Sequence, residues 1–127
     1  MARKVDAEAR RRYSEDQEHA ERLPGLLERV AAAERALGAA HRSGAGIEEL
    51  HLLSTALDTA LTDAMRAAYA RERVLIGPRG ADRIYRRKRQ ATPGIRRATE
   101  LAERLLSARE EHRLQGIERV PRRVAAA

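Results

Sequence analysis

Residues 47–68 read IEELHLLSTALDTALTDAMRAA, and the spacing of their apolar residues decides the fold. Leu50, Leu53, Leu57, Ala60, Leu61, Ala64, Met65 and Ala68 recur at the period of an α-helix, not with the alternation of a strand. The stripe is wide enough to touch two neighbours, so this segment is expected to be the central helix of an all-α chain. Glu48 and Glu49 fall in its first turn and Arg66, Arg71 and Arg73 towards its end, each sign where the helix dipole favours it.

Upstream, Ser43-Gly44-Ala45-Gly46 is a stop signal short enough to make the preceding helix an antiparallel neighbour, as in an αα-hairpin. That helix, over residues 24–42, carries Leu26, Val30, Ala33, Leu37 and Ala40, with Leu23 just before it, in a coiled-coil-like seam. Before Pro24-Gly25 comes a far more polar stretch, residues 4–22, supported by the i,i+4 pairs Asp6–Arg10 and Glu8–Arg12. Its apolar stripe is only Val5, Ala9 and Tyr13, so it is expected to project into solvent or pack on another chain.

Downstream, Gly77-Pro78-Arg79-Gly80 ends the central helix and opens a connector with room for a short helix over residues 82–90. Thr92 as N-cap and Pro93 at the first helical position start the last long helix, lined by Ile95, Ala98, Leu101, Ala102, Leu105 and Ala108 and fading at His112. Beyond Gly116, IERVPRRVAAA is too short and basic to pack as a helix. The expected organisation is a three- or four-helix antiparallel bundle. A protruding polar helix occupies residues 1–22, the bundle 23–115 with a basic connector at 77–94, and a basic C-terminal tail 116–127.

Composition narrows the class. With 127 residues the chain suits one domain, and without Phe or Trp the core must come from Leu, Ile, Val, Met and Ala in close-packed helices. Such a core is thin for a chain that is 35% charged, which suggests stabilisation by a partner or by self-association. The heavy use of Arg and Ala is explained by a GC-rich genome before any selection for anion recognition. Cysteine is absent, which removes disulfides and thiol chemistry. No apolar run nears the ~18 residues that span a bilayer, and MARKVDAEARRR lacks the apolar region of a signal peptide. A cytoplasmic protein, or a component assembled there into a particle, is expected.

The charge is localised. Residues 77–97 hold eight basic side chains and one acidic, equal to the +7 of the whole chain, so the rest is balanced. Crowded like charges repel unless a polyanion or an acidic surface offsets them. Arg79, Arg83, Arg86, Arg87, Lys88, Arg89, Arg96 and Arg97 are therefore the candidate polyanion-binding residues, with Tyr85 as a candidate stacking partner for an exposed base. The bland reading is a solvated connector, or ion pairs to acids of a neighbouring subunit. Candidate partner-interface residues are Val5, Ala9 and Tyr13 in the first helix and Val120, Arg122 and Arg123 in the tail.

Catalysis finds no support in the residues. His19, His41, His51 and His112 are scattered one per helical stretch, without the spacing of a metal site. No serine sits in a nucleophile elbow, and GPRGADR lacks the glycine-lysine pattern of a phosphate-cradling loop. Glu48–Glu49, Asp58–Asp63 and Glu110–Glu111 read as solvated helix faces. No enzyme activity, cofactor or metal is expected. The function expected is that of a structural or adaptor subunit of a larger assembly, for example a ring-forming connector or another part of a virus-like particle. Its partners would be other protein subunits, with the basic connector on a polyanion or an acidic surface and no membrane contact. One alternative is a nucleic-acid-binding protein using residues 79–97 on the phosphate backbone without sequence readout. Another is a coiled-coil regulator whose seam residues Leu26, Val30, Leu37, Leu53 and Leu57 capture a partner helix.

Overall fold

The computed structural model describes residues 5–80 and 82–115. Among them are five helices and no strand: α1 Ala7–Glu21, α2 Leu23–Arg42, α3 Ile47–Ile76, α4 Arg83–Gln90 and α5 Pro93–Gln115. The turn chemistry read from the sequence sets the boundaries. Gly44 adopts φ +69°, a left-handed conformation that ends α2, and the N–H of Ala45 donates to the carbonyl of Ala40 at 3.0 Å. Gly77, at φ +97°, stops α3, its N–H bonding the Arg73 carbonyl at 2.9 Å. Asp82 caps α4, its carboxylate accepting from the N–H groups of Ile84 and Tyr85 at 3.1 and 3.2 Å.

α3 is the hub. α1, α2 and α5 all pack against it, whereas the backbones of α2 and α5 do not approach each other. Leu23, Val30 and Leu37 from α2, Leu57, Leu61, Ala64, Ala67 and Ala68 from α3, and Ala102 and Leu105 from α5 form one buried cluster. The alanines at its centre are wholly buried, and such small side chains let helices come close enough for the flanking leucines to interdigitate. Truncating one such leucine to alanine ordinarily costs about 2–5 kcal/mol. Of the five seam residues, Val30, Leu37 and Leu57 are buried, and Leu26 and Leu53 pack half-buried against the same cluster, so all are already engaged within the chain.

Polar side chains fix the register of α5 on α3. Arg113 donates from Nε and Nη2 to the two carboxylate oxygens of Asp58, at 2.7 and 3.3 Å. This pairing holds the Asp58 carboxyl below its ordinary range, against the opposing pull of partial burial. One turn further, His112 Nε2 lies 2.7 Å from the Ser54 carbonyl oxygen, and because a carbonyl only accepts, Nε2 is the protonated nitrogen. Burial, followed by the charges of Glu103 and Glu72, pushes the hydroxyl of Tyr69 upward on the same helix.

The expected protrusion of the first helix is not what these residues adopt. α1 lies along the C-terminal half of α3, with Ala9, Tyr13 and Asp16 half-buried, as is Val5 just before the helix, and no residue of α1 fully buried. The apolar stripe alone underestimates this contact. Arg73 donates from Nε and Nη2 to the two oxygens of Asp16, both at 3.0 Å, and this fork adds a directional bond to a weak hydrophobic seam. The same bond lifts the Arg73 guanidinium above its usual range. The C-terminal tail, residues 116–127, lies outside the described residues, so Val120, Arg122 and Arg123 have no assigned position.

Candidate interaction surface

The basic connector folds into α4 and the first turn of α5, and this arrangement sorts its eight cations into two sets. In an eight-residue helix, side chains one position apart diverge by about 100° around the axis, so a continuous run of charge cannot all face one way. The inner face of α4 presents Tyr85, Arg86 and Arg89, all half-buried, and the outer face presents Arg83, Ile84, Arg87 and Lys88, all exposed.

Three cations are used inside the molecule. Arg86 Nη2 stands 3.6 Å from Oε1 of Glu72, a carboxylate in α3 that is only 5% exposed. Arg89 donates from Nη2 to the Leu75 carbonyl at 2.9 Å, in the last turn of α3 where the free carbonyls and the helix dipole both favour a cation. Its Nε is buried with no hydrogen-bond partner. Arg79 holds its guanidinium carbon 4.5 Å from the centroid of the Tyr85 ring and an Nη2 3.9 Å from Asp82. Tyr85 is thus a half-buried ring with Arg79 over one face.

The other five, Arg83, Arg87, Lys88, Arg96 and Arg97, are exposed and form no ion pair among the described residues. The lone acid of the segment, Asp82, is spent on the cap of α4 and on Arg79. Arg83 and Arg87 lie one turn apart on one face, a mildly repulsive spacing. Arg96 and Arg97 occupy the first turn of α5, where the helix dipole is itself positive.

Two of the three sequence-predicted interface residues of the first helix, Ala9 and Tyr13, are placed together. Ala9 and Tyr13 line a cleft of about 400 Å³ with Ile76, Gly77 and Pro78, between α1 and the end of α3. Arg12, Asp16, Arg73 and Arg86 also line it, so α1 and α4 both border the cleft at the end of α3. Glu72 was not singled out by the sequence, although a signal existed. It stands four residues after Ala68 and four before Ile76, both buried, so a carboxylate occupies the apolar stripe of α3 and demands a buried partner. Among the described residues no group of three or more metal-ligating side chains converges, and no helix is long and apolar enough to cross a membrane.

Comparison with protein-family models, with curated proteins and with solved structures finds no match for this chain.

Proposed function

We propose that the chain is a non-catalytic structural or adaptor subunit of a larger assembly, such as a ring-forming connector or another part of a particle. In this reading its helices form a bundle around α3 that presents the outer face of α4 and the first turn of α5 to a polyanion or an acidic protein surface. The observation that carries the reading is the set of five exposed cations, Arg83, Arg87, Lys88, Arg96 and Arg97, none of which forms an ion pair among the described residues. Mutual repulsion at this spacing, and the unfavourable end of a helix dipole, are both relieved by an anion from outside the chain. A surface that is electrostatically incomplete alone is what a docking element needs.

Light-scattering mass at low and at high salt, alone and with duplex or single-stranded nucleic acid, tests the reading. The expected result is self-association, with or without nucleic acid present, that high salt suppresses. The variant carrying Arg83→Ala, Arg87→Ala, Lys88→Ala, Arg96→Ala and Arg97→Ala loses it with unchanged helical content. A monomer at every salt concentration that ignores both forms of nucleic acid would overturn the proposal. Nucleic-acid binding by a strict monomer would instead favour the phosphate-backbone alternative.

A further inference from the structure

We infer that the outer face of α4 docks onto the first turns of α3 in a second copy of this chain, so that copies join head to tail. The inference rests on the assembly reading above and names its partner. Its first support is the anatomy of the α4 face. Ile84 is 71% exposed and is surrounded by Arg83, Arg87 and Lys88, an apolar centre with a cationic rim. Phosphate-backbone contact uses the cations alone and leaves that isoleucine idle, whereas protein interfaces combine an apolar centre with a polar rim.

The second support is a face of the opposite sign at the other end of the same helix. Leu52 is 69% exposed and Ile47 41% exposed. Glu48 and Glu49 stand four and three residues before Leu52, close to it on the surface of α3, and neither forms an ion pair among the described residues. The centre is again an exposed aliphatic side chain, and the rim is acidic where that of α4 is basic.

These two faces do not meet within one copy. α4 is tied to the C-terminal end of α3 by Arg86 to Glu72 and Arg89 to Leu75, while Glu48 and Leu52 lie in its first two turns. At about 1.5 Å per residue the helix separates them by tens of ångströms. Complementary patches on opposite ends make a heterologous contact, which repeats into a closed ring or an open filament according to the angle between successive copies.

The test is a charge exchange on the full chain, read as sedimentation velocity over a concentration series at low salt. Arg87→Glu with Lys88→Glu, and separately Glu48→Lys with Glu49→Lys, each place like charges across the contact and are expected to weaken self-association about tenfold or more. An equimolar mixture of the two variants is expected to associate again, because each supplies the face that the other needs, and loss of folding cannot produce that recovery. The four-substitution chain is expected to recover association by itself. Self-association unchanged by either pair overturns the inference, and so does association lost only on removing residues 116–127. A wild-type chain that is monomeric alone yet shifts with duplex nucleic acid overturns the head-to-tail contact while leaving the polyanion surface in place. A monomer under both conditions overturns both.

Discussion

Arg86 and Arg87 are adjacent in the chain and face opposite ways, and the difference decides what each does. Arg86 turns inward to Glu72, whose carboxylate has almost no access to water, while Arg87 points into solvent. Removing the partner of a buried charge leaves its desolvation uncompensated. Arg86→Ala is therefore expected to lower stability by about 2 kcal/mol, read from the urea midpoint, whereas Arg87→Ala changes it by less than about 0.5 kcal/mol. Adding Glu72→Gln to Arg86→Ala should recover part of the loss, because a neutral amide is less costly to bury alone. An Arg86→Ala effect no larger than that of Arg87→Ala would show the pair to be energetically idle. In the sequence these residues form one basic run, RRKR, and nothing local distinguishes them. The signal lay fourteen residues away, in the carboxylate interrupting the apolar stripe of α3.

At the scale of elements, helix ends were legible because caps and stops are local chemistry. The central helix opens at Ile47 as its spacing predicts, the connector folds a short helix with Asp82 as its cap, and Pro93 begins the last one. Gly44 shows how specific such punctuation is. A Cβ there would meet nothing within 4 Å, so the left-handed backbone alone makes glycine necessary. Gly44→Ala is expected to lower the urea midpoint, by about 1 kcal/mol in stability. Gly25→Ala, inside α2 with equally open surroundings and no positive φ, is expected to raise it by about 0.5 kcal/mol. Effects of the same sign would break this account of the α2–α3 turn. The element that sequence pattern misjudged is α1. Its periodicity holds too few apolar residues to predict burial, and the Arg73–Asp16 fork that seats it joins side chains 57 positions apart.

For the whole molecule, the arrangement of helices around α3 has a dynamic consequence. α1 buries no residue fully and leans on a short seam with one fork, whereas α3 is packed by α1, α2 and α5 together. Local openings draw on the elements with the fewest buried contacts. Amide hydrogen exchange is expected to be slowest in α3, intermediate in α2 and α5, and fastest in α1 and α4. Protection in α1 equal to that in α3 would mean that the two open only together. In the proposed assembly this gradient is useful, since the hub stays rigid while the docking helix adjusts.

Sequence by itself determined that this chain is all-helical in its regular structure, where the long helices start and stop, and that its net charge is concentrated in residues 77–97. Each of these follows from local chemistry: a period of 3.6 residues, a capping carboxylate, a glycine at positive φ, a count of charges. Only the tertiary structure decided that α1 lies on α3, that three of the eight connector cations are spent internally, and that Ile84 is left exposed among the remaining ones on α4. Those outcomes depend on which distant groups become neighbours once the helices pack, and an ion pair or a buried face is a property of two segments that neither carries alone.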